Sequence, residues 1–314
     1  MVYVIYQLIR TARPRQWLKN LSLFAAPIFA ARIFEPITLD LTFKAFIAFC
    51  LLSSGSYFIN DIIDAPKDKQ HPIKKNRPIA SGRLSANLAL VVAFLLIGFS
   101  LILGFNFVGT YFGFSLLVYI LLQATYSLYF RNVIILDSLV VATGFVLRVF
   151  AGGLASNTSI SSWLALTTIG ISLLLAFGKR RSEKTILAKY SPTQSVTETR
   201  KTLRHYPDNL LDGMISMSAT YTIITYSLFV FQISPSGAND ALFKILPSIL
   251  KTPKWMMLTI PLVIYGVARY LYVIYEKGEA ESPERVLLSD KPLLFTVLFW
   301  GLLTMLIIFM VPDL

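Results

Sequence analysis

An acidic run near residue 60 holds the side chains best suited to bind a metal ion. It contains four candidate ligands: Asn60, Asp61, Asp64 and Asp68. On a helix, the three carboxylates would share one face about a turn apart. Carboxylate and amide oxygens suit Mg²⁺, which usually combines one or two carboxylates with substrate phosphates. We therefore predict that these four residues bind Mg²⁺ and that the three aspartates are catalytic.

Two observations leave alternatives open for this run. Pro66 lies inside it, and a proline within a helix removes one backbone hydrogen bond and kinks the chain, so Asp68 ranks below the other ligands. The run could also be a solvated helix end beside Lys67 and Lys69. Against that alternative, the run follows Tyr57 at an expected membrane boundary, where unpaired charge is unfavourable.

Basic residues lie in two clusters that could bind phosphate. Lys74 and Arg77 follow the acidic run closely, and Lys179 and Arg180 directly follow an apolar stretch. Arginine binds phosphate through forked hydrogen bonds and lysine as a point charge. A topological anchor at the membrane surface is the alternative for both clusters. We predict substrate-binding roles for these four residues, and we note that the second cluster lacks a matching acidic run.

Four further candidates, three of them charged, lie near or within apolar stretches. Asp137 and Arg148 are eleven residues apart in one stretch, which places them on the same helix face, roughly 16 Å apart. Charged residues inside a membrane usually face a cavity or a partner, so both are predicted to contact substrate. The anionic partner of Arg148 must come from outside its own helix. Lys19 and Asn20 begin the first apolar stretch and are also predicted to bind substrate, with a membrane anchor as the alternative for Lys19.

The composition places these residues in a membrane protein. Of the 314 residues, 55% are hydrophobic and only 15% are charged, with a formal net charge of +12. About 20 apolar residues are needed for each helical span. We predict one all-α membrane domain over residues 1–314, with nine spans. These are residues 18–34, 41–59, 88–105, 110–130, 132–155, 161–178, 213–234, 255–275 and 293–312.

The distribution of basic residues predicts the orientation, because cytoplasmic loops hold an excess of Lys and Arg. With the N-terminus inside, inner segments hold 22 of the 29 basic residues and outer segments hold five. The C-terminus would then lie outside the cell membrane. The two long inner loops, residues 60–87 and 179–212, are the predicted active-site loops. The positive charge thus faces a membrane surface and small polyanions, and nucleic acid is not an expected partner.

Several segments together resemble the UbiA superfamily of intramembrane prenyltransferases. The acidic run after the second span, the nine spans and the orientation indicate the superfamily. The flanking segments resemble the branch that transfers phosphoribose to polyprenyl phosphate. They read RPRQWLKN from Arg13, DKQHPIKKNRPIASG from Asp68, YSLYFRNVIILDSLVVATGFVLRVFAGG from Tyr126 and FGKRRSEK from Phe177. Pro66 departs from the family pattern.

The resemblance implies a Mg²⁺-dependent reaction between 5-phosphoribosyl 1-diphosphate and a polyprenyl phosphate, with release of diphosphate. It implies a UbiA-like helical bundle and adds Tyr126 to the substrate-binding residues. Two alternatives remain. A prenyltransferase acting on an aromatic or quinone precursor should carry a second acidic motif after the sixth span, where the chain has Lys179–Lys184 with only Glu183 acidic. A transporter should show inverted repeats.

Overall fold

The computed structural model describes residues 2–70, 74–190, 206–233, 254–277 and 283–310. Within these ranges every regular element is a helix. The elements are α1 (Val2–Ala12), α2 (Ala25–Phe29), α3 (Pro36–Asp68), α4 (Ala86–Leu103), α5 (Thr110–Leu128), α6 (Leu136–Ala155), α7 (Ser162–Tyr190), α8 (Asp208–Ile233), α9 (Ile260–Tyr272), α10 (Pro283–Ser289) and α11 (Lys291–Met310).

Eight helical segments in the described part of the chain are long and apolar enough to cross a membrane. They are α3, α5, α6, α7, α8, α11, and α4 and α9 together with their flanking turns. Their outward faces expose large apolar side chains such as Phe94 and Phe295, as expected of surfaces that contact lipid. The protein is therefore an all-α, multi-pass membrane protein, as predicted. The C-terminal residues 311–314, predicted to lie outside the cell, and residues 191–205 of the second predicted loop fall outside the described ranges.

The first of the nine predicted spans has a different local structure from the other eight. Residues 14–24 form a 3-10 helix, which we call the 3-10 segment, and the short α2 follows it. Arg13 and Ala31 adopt left-handed backbone conformations, with φ of 54° and 57°. Pro27 within α2 has no backbone N–H to donate. Arg13 precedes the predicted span, whereas most of the 3-10 segment, Pro27 and Ala31 lie inside it, so that eight long apolar helices remain in the described ranges.

The 3-10 segment packs directly against the backbone of α6. A Cβ atom added at Gly152 would lie 2.0 Å from the carbonyl oxygen of Leu23, so only glycine permits this approach. Asn20, completely buried, donates to Ser53 on α3 and accepts a hydrogen bond from Arg148 on α6. The segment therefore has a fixed position between α3 and α6.

The acidic run occupies the last two turns of α3. This helix continues through Pro66 and ends at Asp68, so the proline lies in its final turn. Only one backbone hydrogen bond is lost at that position. Asp68 consequently keeps the helical register of Asp61 and lies on the same face, two turns away. Asp68 is therefore not separated from the rest of the run by a helix end at Pro66.

Candidate active site

Asp61 and Asp68 are joined by one arginine. Arg77 Nη1 lies 3.1 Å from Asp61 Oδ1 and 2.6 Å from Asp68 Oδ2. Arg13 Nη2 lies 2.5 Å from the same oxygen of Asp61. Both carboxylates are buried, whereas the two arginines are about a quarter exposed. Two cations therefore neutralise a buried carboxylate pair and remain accessible to solvent.

The other two residues of the acidic run contact the end of α5. Arg131 Nη1 donates to both oxygens of Asp64, at 2.9 and 3.0 Å. Asn60 accepts a hydrogen bond of 3.0 Å from Ser127 Oγ. The run is thus divided between the loop that carries Arg77 and the turn that follows α5.

The four predicted metal ligands lie on one helix, but their side chains do not converge. In the described ranges, no group of three His, Cys, Asp or Glu side chains is close enough to hold a metal ion together. Each carboxylate is bound to an arginine instead. These ion pairs explain how three acidic residues coexist on one helix stripe. We call this set of Asp61, Asp64, Asp68, Arg13, Arg77 and Arg131 the acidic–arginine cluster.

A second network lies beside this cluster and brings together Tyr126, Asp137 and Arg180, which were predicted separately. Arg180 Nε lies 2.6 Å from Asp137 Oδ2, and Arg180 Nη2 donates to Tyr126 Oη at 3.0 Å. Glu183 accepts from Arg180 Nη1 at 2.5 Å. The arginine side chain is 1% exposed, so it is a buried cation with two anionic partners. Arg180 thus joins α5, α6 and α7.

Tyr206 completes this network. Its hydroxyl donates to Asp137 Oδ1 at 2.5 Å and accepts from the backbone N–H of Ile135 at 2.6 Å. Burial, followed by the neighbouring Asp137 carboxylate, raises the pKa of Tyr206 to about 12. The hydroxyl is therefore protonated at neutral pH and acts as a permanent donor to Asp137.

Arg148 is buried and bonds only neutral acceptors among the described residues. It donates to Asn20 Oδ1 at 2.8 Å, to Tyr119 Oη at 2.7 Å and to the carbonyl of Gly144 at 2.6 Å. Asp137, although on the same helix, pairs with Arg180 instead. Arg148 thus holds the 3-10 segment against α5 and α6 and contributes an uncompensated positive charge.

An apolar cavity of about 440 Å³ lies between the 3-10 segment and helices α6, α7, α8, α9 and α11. Lys19, Tyr270 and Glu284 line it at one end, and we call this end the polar mouth. Phe29, Tyr226 and Trp300 line it further from the mouth. Because its lining is overwhelmingly apolar, the cavity suits a hydrocarbon chain.

Lys74 and Lys179 are placed at the edges of these sites. Lys74 begins the 3-10 turn that ends just before Arg77. Lys179 is 31% exposed and its ammonium lies 4.0 Å from Glu183. Both are therefore within the region of the two clusters without being part of a buried core.

The sequence prediction omitted four residues that complete the site: Arg13, Arg131, Tyr206 and Glu284. Arg13 and Arg131 were counted only as basic residues that determine orientation. Each lies next to a helix break, Arg13 before Pro14 and Arg131 after α5, and this position was the available signal. Glu284 offered no comparable signal, because 265 residues separate it from Lys19.

Comparisons with known proteins give the relationships of this chain. The UbiA prenyltransferase family matches residues 21–303. The decaprenyl-phosphate phosphoribosyltransferase of Corynebacterium glutamicum is 31% identical over 97% of this chain and 87% of its own length. The enzyme of the same name from Mycolicibacterium smegmatis is 33% identical over 93% of this chain and 89% of its own length.

A solved structure shows the same fold. It is a UbiA homolog from Archaeoglobus fulgidus bound to GPP and Mg²⁺, with a TM-score of 0.67 and 18% identity, and the match covers 96% of both chains. The family match covers most of the chain, and the two named enzymes are about one third identical to it over nearly its whole length. The protein is therefore an enzyme of the UbiA prenyltransferase family.

Proposed function

We propose that this enzyme transfers 5-phosphoribose from 5-phosphoribosyl 1-diphosphate to a polyprenyl phosphate and releases diphosphate. One observation carries the proposal: the 3-10 segment connects a cluster suited to a polyanion with a cavity suited to a hydrocarbon chain. Arg13 lies in the cluster and Lys19 in the polar mouth. Arg13 directly precedes the 3-10 segment and Lys19 is its sixth residue, so about two turns, roughly 10 Å of 3-10 helix, separate the cluster from the polar mouth.

The acidic–arginine cluster would bind the sugar donor. Arg13, Arg77 and Arg131 now neutralise carboxylates, and each is partly exposed. When another cation takes over that neutralisation, their guanidinium groups can turn to phosphate oxygens. Lys74 precedes Arg77 by one turn, Lys179 adjoins the Arg180 network through Glu183, and both would add point charges. The donor carries phosphate groups at both ends of the sugar, which matches this excess of cations.

The residues of the acidic run fit a divalent cation by their chemistry. Asn60, Asp61, Asp64 and Asp68 offer only oxygen atoms, as Mg²⁺ requires. The arginines already bound to the carboxylates show that this position favours positive charge. Mg²⁺ would supply neutralisation of the departing diphosphate. The solved relative bound to GPP and Mg²⁺ agrees with this assignment.

The acceptor phosphate needs positioning more than activation. A phosphate monoester is already anionic near pH 7, because its second pKa is about 6. One of its oxygens would attack C1 of the ribose as the C1–O bond to diphosphate breaks. The reaction therefore requires no general base, and the cations of the site would hold the two anionic substrates together. The buried Arg180 network would keep α5, α6 and α7 in position around them.

The relatives support the phosphoribosyl reaction over prenyl transfer. Both bear the name decaprenyl-phosphate phosphoribosyltransferase. In addition, Glu183 is the acidic residue of the Lys179–Lys184 cluster, and it is bound to Arg180. It is thus not arranged as a second acidic motif for a prenyl diphosphate.

The test is to incubate the purified protein with Mg²⁺, labelled 5-phosphoribosyl 1-diphosphate and a polyprenyl phosphate, and then to extract the lipid. We expect label in the lipid fraction. Prenyl diphosphate with 4-hydroxybenzoate serves as the rival substrate pair. Asp61→Asn should abolish transfer without loss of membrane insertion, and Asp40→Asn, at an exposed ion pair with Lys44, is the matched control. Product from the rival pair alone would refute the proposal.

We also propose that the acidic–arginine cluster faces the cytoplasm of a cell membrane, with the N-terminus inside and the C-terminus outside. The excess of basic residues in the inner segments supports this orientation. In a Cys50→Ser background, a cysteine at Ser81 should react in intact cells only with reagents that cross the membrane. Labelling by an impermeant reagent would reverse the orientation.

A further inference from the structure

The polar mouth holds the only charged side chains that line the described cavity. Lys19 Nζ lies 3.2 Å from Glu284 Oε2, and their side chains are 19% and 6% exposed. Glu284 lies in the first turn of α10, which packs against the 3-10 segment. Tyr270 comes from the end of α9. Three separate elements thus converge on one end of an apolar space.

One polar atom of the polar mouth, Tyr270 Oη, lacks a hydrogen-bond partner among the described residues, and the residue is more than nine-tenths buried. Glu284, equally buried, has its Oε2 atom in the ion pair with Lys19. Buried polar groups are normally hydrogen-bonded, because burial without a partner is costly. Tyr270 is among the residues that line the cavity, and a tyrosine hydroxyl without a partner can donate to a ligand bound beside it.

The charges around the polar mouth favour an anion. Arg148 bonds Asn20, the residue next to Lys19, and has only neutral acceptors among the described residues. Arg148 is close enough to Lys19 for the two cations to repel each other, and a single carboxylate, that of Glu284, lines the described cavity beside Lys19. The complementary ligand has an anionic head and an apolar chain.

We propose that the polar mouth binds the phosphate of the lipid acceptor. This inference rests on the function proposed above and assigns a binding site to one of its two substrates, the lipid acceptor. Lys19 Nζ pairs with the phosphate, Tyr270 Oη donates to it, and the chain runs into the cavity toward Trp300. Arg148 acts as a positioning residue, since it holds the 3-10 segment through Asn20.

Glu284 has a specific part in this site. Before the lipid enters, its carboxylate neutralises Lys19, and the phosphate then replaces it as the counter-ion. Its negative charge also repels a second phosphate group. The polar mouth therefore selects a lipid monophosphate over the corresponding diphosphate.

The test measures binding of labelled polyprenyl phosphate to the full-length protein in lipid nanodiscs, without sugar donor or Mg²⁺. Polyprenol of the same length serves as the ligand without phosphate, and inorganic phosphate is added as a competitor without a chain. We expect Lys19→Gln to weaken binding of the phosphate lipid by about tenfold or more, as loss of a charge-assisted contact requires. Binding of polyprenol should stay the same. Lys44→Gln, at an exposed ion pair, is the matched control.

Glu284→Gln tests selectivity in the same assay. It should increase binding of polyprenyl diphosphate by a larger factor than binding of polyprenyl monophosphate. Tyr270→Phe, which removes only the hydroxyl, replaces Lys19→Gln if the latter does not fold, and it should weaken binding of the monophosphate severalfold. Equal binding by Lys19→Gln and Lys44→Gln, or equal gains for both lipids in Glu284→Gln, would overturn the assignment. Failure of the proposed function is separate, because it would appear as lipid binding without transfer of labelled sugar.

Discussion

The buried network around Arg180 allows a quantitative prediction. Arg180 is 1% exposed and Asp137 is 4% exposed, with 2.6 Å between their charged atoms. Removal of one member of a buried ion pair costs about 3–5 kcal/mol, because it leaves a buried charge unpaired. Asp137→Asn leaves Glu183 and Tyr126 as partners of Arg180. We therefore expect a loss near the lower limit, about 3 kcal/mol of unfolding free energy.

The chain provides a direct assay for this loss. Cys50 is its single cysteine and is 4% exposed, so a thiol-reactive fluorophore reports unfolding. At about 2 °C per kcal/mol for a large domain, the unfolding midpoint should fall by roughly 6 °C. Asp40→Asn breaks an exposed pair with Lys44 and should cost less than about 1 kcal/mol. A midpoint for Asp137→Asn equal to that of Asp40→Asn would refute the argument.

A double variant separates stability from substrate binding. In Asp137→Leu with Arg180→Met both charges leave together, and we expect recovery of roughly half the loss. If Arg180 binds the sugar donor, as the sequence predicts, this variant, although stable, has a raised KM for 5-phosphoribosyl 1-diphosphate. If KM recovers together with the unfolding midpoint, Arg180 only positions its neighbours.

Three further predictions concern other parts of the molecule. Gly152→Ala should lower the unfolding free energy by roughly 1–3 kcal/mol in the thiol assay, because its Cβ meets the backbone of Leu23, whereas Gly98→Ala, with open space around it, should not. Arg131→Gln should weaken binding of 5-phosphoribosyl 1-diphosphate about tenfold in a titration, and the exposed Arg83→Gln should leave it unchanged. Because the pKa of Tyr206 is raised from 10.0 to about 12, its contribution to stability is complete below about pH 10 and is lost as the pH rises toward 12. Tyr206→Phe should therefore show a weaker dependence of the midpoint on alkaline pH, and an unchanged pH profile would contradict this cause.

The membrane architecture was predictable because it depends on local composition. Eight of the nine predicted spans correspond to long helices, since an apolar stretch of sufficient length forms a helix wherever it lies in the chain. The first predicted span differs because apolar content does not report backbone conformation. Arg13 and Ala31 have positive φ, and the contact between Gly152 and Leu23 stabilises the 3-10 segment through tertiary packing.

The sequence predicted which types of side chain form the candidate site, but only partly which of them form ion pairs with one another. The spacing of Asp61, Asp64 and Asp68 is that of residues that share a helix face, and all three lie on α3. Their partners come from far along the chain: Arg13 is 48 residues from Asp61, and Arg131 is 67 residues from Asp64. Spacing along one helix shows which side chains share a face, and it does not show which other helix meets that face.

The sequence alone determined that this is a helical membrane protein with an acidic run, a strong bias of basic charge and a resemblance to UbiA enzymes. Each of these follows from residues close together in the chain. Only the tertiary structure decided that Asp137 pairs with Arg180, that Arg148 bonds neutral groups, and that Lys19 meets Glu284 at the end of an apolar cavity. Such contacts depend on how separate helices pack, and packing depends on the shape of all their faces at once.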